Sequence, residues 1–207
     1  MIVVIDYNVG NVKSVCNAFS HIGCDVKLSC RPADIENALG LVLPGVAAFG
    51  YAVNALGSIA GLIKKAALNG KPLLGICVGC QMLFDQSSEY GLHNGLGLVH
   101  GSVVHLPAGQ RIPHMGWNPV KLPENMDLFA DLEKEKHFYF AHSFYADVKD
   151  TQAKIAYTDY GFDLPAAVQK GKIYGTQFHP EKSGKTGLNV LKNFYEICKK
   201  EKQKDAD

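Results

Sequence analysis

The sequence has no long hydrophobic run. Nowhere in its 207 residues do apolar side chains approach about eighteen in a row, so no membrane-spanning helix is expected. It has no excess of charge of one sign. Lys and Arg total 21 against 20 Asp and Glu, a formal charge of +1. A nucleic-acid binder shows a basic excess or a basic face instead, so no nucleic-acid partner is expected. The one dense charge run, 199–207, mixes both signs and reads as a solvated tail. The opening stretch, Met1-Ile2-Val3-Val4-Ile5-Asp6, has no basic segment and no small-residue cleavage site, so it does not read as a secretory signal. There is no internal repeat, and no linker long enough to mark a domain boundary.

What is present is ordinary for a folded domain. Hydrophobic residues make up 47% and charged residues 20%, which argues against disorder. A chain of 22.5 kDa should fold to a surface on the order of 9,500 Å² and bury about 70% of what the extended chain exposes. That core needs no disulfides. The six cysteines (16, 24, 30, 77, 80 and 198) are therefore read as reduced thiols in a cytoplasmic protein. The expected organisation is one domain over 1–198, followed by the charged tail 199–207.

The first half alternates short apolar runs with helical periods. Residues 2–6, 26–29, 41–43 and 73–76 read as strands. Residues 12–22, a short stretch from Pro32, 53–68 and 77–84 read as helices. Strand–helix alternation with short Gly/Pro joints predicts an α/β fold with a doubly wound, mostly parallel sheet, and such sheets hold chemistry at the carboxyl ends of their strands. From about residue 95 the helical periods stop. Short β-rich pieces at 101–106, 138–141, 154–157, 166–169 and 172–178 predict an added antiparallel β layer, and a helix over 186–198 closes the domain.

Gly75-Ile76-Cys77-Val78-Gly79 lies between a predicted strand and a predicted helix. It has the layout of a nucleophile elbow, with flanking glycines that permit a tight turn and a helix start that favours a thiolate. Taken alone it reads equally as a buried structural cysteine. Cys77-x-x-Cys80 could also be a redox or metal pair, but no second C-x-x-C and no following His pair accompanies it. A partner for a nucleophilic thiol occurs late, in His179-Pro180-Glu181. Pro180 biases His179 towards an extended backbone, which would turn His179 and Glu181 to one side. The imidazole would share the thiol proton and the carboxylate would orient it. Cys77, His179 and Glu181 are thus read together as a catalytic triad. The plainer alternative is a capped turn with a surface ion pair.

These residues, with Cys80-Gln81 after the elbow, resemble class I, triad-type glutamine amidotransferases. Further blocks narrow the resemblance: Asp6-Tyr7-Asn8-Val9-Gly10-Asn11, Leu43-Pro44-Gly45-Val46-Ala47-Ala48-Phe49, Pro113-His114-Met115-Gly116-Trp117-Asn118, Phe138-Tyr139-Phe140-Ala141-His142-Ser143-Phe144 and Gln177-Phe178-His179-Pro180-Glu181-Lys182-Ser183. They are similar to the glutaminase subunits of imidazole glycerol phosphate synthase, in that family's order. The departures are Asn8 and Ala47, where glycine is expected, Val78, where Leu is expected, and Cys80, where Met or a similar residue is expected.

The resemblance implies hydrolysis of L-glutamine to glutamate and ammonia through a Cys77 thioester. It implies an oxyanion hole from the backbone N–H groups of Val46 and Val78, and substrate contacts from Gly45, Gln81, Ser143 and Phe144. Gln81, one turn after Cys77, would face the same mouth. His114 and His142 are expected to be structural hydrogen-bonding residues. No metal or organic cofactor is implied. The implied partner is a synthase (cyclase) subunit that receives the ammonia in a heterodimer for histidine biosynthesis, docking near Asn11, Trp117 and Lys182. The same chemistry could instead feed a paralogous synthase that aminates a surface sugar.

Overall fold

The computed structural model describes residues 1–132 and 135–204. Its centre is a run of parallel strands whose sequences are almost wholly apolar, because both faces are covered by helices. β1 (Ile2–Ile5), β3 (Gly40–Leu43), β4 (Leu73–Ile76) and β13 (Ile173–Thr176) are buried at every position. With β2 (Val26–Ser29) they stand in the order β2-β1-β3-β4-β13. The helices between them are α1 (Val12–His21), α2 (Pro32–Asn37), α3 (Phe49–Leu56), α4 (Ile59–Leu68) and α5 (Val78–Gln81). The final helix is α6 (Gly184–Lys204).

The added antiparallel material takes two forms. β12 (Asp163–Lys170), β11 (Lys154–Asp159), β8 (His114–Lys121) and β9 (Glu135–His142) continue the main sheet beyond β13, giving nine strands among the described residues. β10 (Phe144–Val148), β7 (Val99–His105), β5 (Phe84–Ser87) and β6 (His93–Asn94) form a second, mostly antiparallel sheet. The accessible surface is 9529 Å², in line with the size expected from mass.

Four local expectations change. The helix predicted over 53–68 is two helices, broken at Gly57, whose φ of +49° ends α3. The helix after Cys77 is a single turn, because Phe84 already opens β5. The piece at 172–178, expected in the antiparallel layer, is β13, which lies parallel to β4 inside the central sheet. The last helix, expected over 186–198, is α6 and runs on to Lys204, through the first part of the charged run 199–207, whose last three positions lie outside the described residues.

Candidate active site

The elbow explains its own sequence. β4 delivers the chain to Cys77, which sits at φ +54° and ψ −110°. A non-glycine residue held there stores strain of about 1–3 kcal/mol, so the surroundings must enforce it. They do so by close backbone packing. A side chain on Gly79 would come 1.8 Å from the Leu43 carbonyl oxygen, and one on Gly75 would come 2.4 Å from the Gly79 carbonyl oxygen. Only glycine fits on either side of the cysteine. The Cys77 N–H donates to the Thr176 carbonyl at 2.7 Å, and its carbonyl accepts from the Gln81 N–H at 3.1 Å.

The two thiols of the C-x-x-C lie in different places. Cys77 is buried to 3% exposure but borders a cavity of about 350 Å³. Cys80 points beneath the elbow, where a side chain on Gly175 would come 2.5 Å from its sulfur. Burial pushes the Cys80 thiol well up.

β13 pairs in parallel with β4, Thr176 opposite Ile76. The segments that follow these two strands therefore emerge side by side. His179 is fixed by its own N–H, which donates to the Tyr139 carbonyl at 2.9 Å. The Ser183 hydroxyl donates to the His179 carbonyl at 2.6 Å and accepts the Tyr139 N–H at 3.0 Å. The chain does not stay extended as the sequence suggested: Pro180–Lys182 is a 3₁₀ turn. That turn still brings Glu181 Oε1 to 2.9 Å from His179 Nδ1, with the two side chains 3% and 1% exposed. Burial lowers the imidazole pKa, but hydrogen bonds to Cys77 and Glu181 and their negative charge outweigh it, and His179 is pushed up to about 9. Glu181 Oε2 is buried with no hydrogen-bond partner among the described residues.

The cavity is bounded by Val46, Ala47 and Ala48 after β3, by Cys77, Val78 and Gln81, by Ala141 to Phe144, and by His179 and Lys182. Gly45 passes so close to the elbow that a side chain would come 2.8 Å from the Gly79 nitrogen. The Tyr7 hydroxyl donates to the neighbouring Pro44 carbonyl. Val78 is the first residue of α5, so its N–H has no carbonyl one turn back to bond. Asn8 takes φ +61°, a left-handed conformation that Asn tolerates.

Gln81 is buried, and its amide nitrogen donates to the Phe144 carbonyl at 2.8 Å and to Gln177 Oε1 at 3.0 Å. His142 Nδ1 lies 2.8 Å from that same carbonyl, which must accept, so Nδ1 carries the proton. His142 Nε2 is then an acceptor for His114 Nδ1–H at 2.9 Å, and His114 Nε2 accepts from Asn118 Nδ2 at 2.7 Å. His114 is also stacked between Phe140 and Tyr160, at 4.5 and 4.0 Å between ring centroids. Burial holds both rings neutral, His114 pushed down to about 4 and His142 to about 3.

Two residues beside Cys77 or its cavity were given no role from the sequence. Glu89 follows a polar stretch after the elbow and is held by the Phe49 N–H at 2.7 Å, presenting a carboxylate to the cavity. Gln177 places its amide nitrogen 3.8 Å from Cys77 Sγ. The three residues expected at a docking face divide. Lys182 borders the cavity, with its Nζ 5.9 Å from the Tyr139 ring centroid. Trp117 is 53% exposed and meets the Tyr139 ring edge-on at 6.1 Å. Asn11 stands at the residue before α1, and its Oδ1 accepts from the Ser14 hydroxyl at 2.9 Å.

The class-I glutamine amidotransferase family profile matches residues 3–198. The imidazole glycerol phosphate synthase subunit HisH of Methanothermobacter thermautotrophicus is 45% identical over 199 residues, covering 96% of this chain and 100% of the relative. The subunit of the same name from Lacticaseibacillus casei is 47% identical over 205 residues, with 97% and 98% covered. A crystal structure of a glutamine amidotransferase superposes with a TM-score of 0.76 at 20% identity, over 96% of this chain and 99% of that one. A chain in the structure of PurLQS from Thermotoga maritima gives 0.73 at 24%, over 95% and 97%. These two structural likenesses speak for the fold alone. By its profile match and its full-length relatives, the chain belongs to the class-I glutamine amidotransferase family, and within it to the HisH subunits of imidazole glycerol phosphate synthase.

Proposed function

We propose that Cys77, His179 and Glu181 carry the glutaminase chemistry of this subunit. The observation that supports the reading most directly is the His179 ring. Its Nδ1 lies 2.9 Å from Glu181 Oε1, and the ring shares with Cys77 the lining of a cavity large enough for a free amino acid.

The Cys77 thiolate attacks the side-chain amide carbon of glutamine, and the carbonyl electron pair moves to oxygen. The N–H groups of Val46 and Val78 hold that oxyanion, each worth about 3–4 kcal/mol in such sites. His179, held protonated near neutral pH by its two partners, gives its proton to the leaving nitrogen. The C–N bond breaks and ammonia departs, leaving a thioester. The now neutral imidazole takes a proton from water as its oxygen attacks, and collapse returns the electron pair to sulfur and frees glutamate. Both steps balance without a metal or an organic cofactor.

The remaining groups fit a free amino acid. Glu89 suits the α-ammonium, while Gly45, Gln81, Ser143 and Phe144 surround the rest of the substrate. The glutaminase domain spans 1–198. The partner is a synthase subunit, in a heterodimer that docks on the strip formed by Trp117, Tyr139 and Lys182 and on Asn11. The ammonia it receives enters imidazole glycerol phosphate formation in histidine biosynthesis. The setting is the cytoplasm, where the six free thiols stay reduced.

Cys77→Ala tests the reading. In the complex with the synthase subunit it should abolish glutamine-dependent turnover and keep turnover driven by ammonium salts. A diazo ketone analogue of glutamine should label Cys77 and spare Cys80. Glutamine-dependent turnover that survives Cys77→Ala, or labelling centred on Cys80, overturns it.

A further inference from the structure

The amide of Gln177 has a forced orientation. The Phe144 carbonyl oxygen can only accept, so the atom of Gln81 that faces it at 2.8 Å is the amide nitrogen. That nitrogen spends its second hydrogen on the atom of Gln177 lying 3.0 Å away, which must be Oε1. The other end of the Gln177 amide, 3.8 Å from Cys77 Sγ, is therefore nitrogen. One backbone carbonyl fixes two side-chain amides in series and leaves an N–H directed at the sulfur. The backbone of Gln177 is tied as well, its N–H donating to the Ala166 carbonyl at 2.8 Å, and the residue is 2% exposed. The sulfur also faces an acceptor, the Ala141 carbonyl at 4.0 Å, which suits a thiol and opposes a thiolate.

From this geometry we infer that Gln177 is a positioning residue for the nucleophile: its amide N–H holds the Cys77 sulfur in its anionic form, with Gln81 and the Phe144 carbonyl setting the direction of that donor. This rests on Cys77 being the nucleophile. A donor to sulfur has a two-sided signature. It raises the fraction of thiolate at neutral pH and stabilises sulfur as a leaving group when the thioester collapses. It also lowers the intrinsic reactivity of each thiolate, since nucleophilicity falls with basicity. A residue that merely supports the fold does neither.

The test is the rate of Cys77 alkylation by a small neutral haloacetamide across pH, on the isolated chain and in the complex with the synthase subunit. The other titratable groups around the sulfur are Tyr7, Cys80, Glu89, His142, Lys182 and the His179–Glu181 pair. All stay in place in Gln177→Met. That variant should move the midpoint of the curve up by about one pH unit, making the reaction roughly 3- to 10-fold slower at pH 7, with a high-pH plateau at least equal to wild type. Gln177→Glu, which keeps the acceptor for Gln81 and the size of the side chain, should move the midpoint further in the same direction. An unmoved midpoint in either folded variant, or a lowered plateau at an unchanged midpoint, overturns the inference. Wild-type alkylation that maps away from Cys77 overturns the nucleophile reading, and the inference with it.

Discussion

Lowering the pH from 7 to 5 isolates the buried histidine pair, because the carboxylates with lowered values, Asp34, Asp85 and Asp150, titrate below that window. In the folded chain His142 and His114 are pushed down to about 3 and about 4, first by burial. Unfolded, each titrates near 6.5. The unfolded state therefore binds more protons between these values, and the stability that neutral burial supplies is full above pH 6.5 and lost as pH falls towards 4. Integrated from pH 7 to 5, a fully buried histidine of this kind loses about 2 kcal/mol. Counting His114 at half, since solvent can relax its strand, brings the pair to about 3 kcal/mol. His179 works the other way: its raised value adds up to about 1 kcal/mol of stability over the same interval. The net expectation is a loss of about 2–3 kcal/mol, or roughly 1 M in urea midpoint for an m-value of about 2–3 kcal/mol per molar. Urea unfolding followed by circular dichroism at pH 7 and 5 measures it. His142→Gln, whose amide can still donate to the Phe144 carbonyl, should remove most of the loss. Equal midpoints at both pH values in the wild type, or an undiminished loss in His142→Gln, would refute the reasoning.

Glu181→Gln keeps the shape beside His179 Nδ1 and removes the charge; loss of a buried ion-pair partner is worth about 3–4 kcal/mol, so glutamine turnover should fall roughly 10²–10³-fold, less than in Cys77→Ala, with wild-type rate excluding Glu181 from the chemistry. Gly79→Ala sets a Cβ 1.8 Å from the Leu43 carbonyl oxygen and should destabilise the fold by at least about 3 kcal/mol in urea, together with loss of Cys77 labelling. Trp117→Ala and Lys182→Ala should leave the fold intact and weaken synthase binding by about 1–3 kcal/mol each, roughly 5- to 150-fold by calorimetry, with glutamate formed in excess of synthase product.

β1, β3 and β4 were legible in the sequence because each is a fully buried apolar run ended by a turn, whereas β13, read as part of the antiparallel layer, joins the parallel set through its pairing with β4. The same logic fails for β5, β6 and β8. Phe84-Asp85-Gln86-Ser87 and His114-Met115-Gly116-Trp117-Asn118-Pro119 are polar or carry Gly and Pro, and they become strands because neighbours pair with them. Gly57 divided a continuous helical period that hydrophobic spacing alone could not divide. In the site, Gly75, Cys77 and Gly79 announce themselves because backbone crowding leaves one solution. His179 and Glu181 are legible as a pair, although a 3₁₀ turn rather than an extended strand joins them. Glu89 and Gln177 carry no local pattern. A lone carboxylate or amide gains meaning only from what tertiary folding sets opposite it.

The pairing of β4 with β13 also governs when the site comes into being. Some hundred residues of chain separate Cys77 from Gln177, and synthesis at about 5–20 residues per second spends roughly 5–20 s between them. Throughout that interval the nascent chain carries the cysteine and lacks its proposed base. β13 is an interior strand, flanked by β4 and β12, so until it arrives the edge of β4 stands open and apolar, a template for wrong pairing. A chain cut short before residue 173 would therefore be quiet towards glutamine and prone to aggregate. On the proposed triad, ammonia release waits on the synthesis of β13 and the turn that follows it.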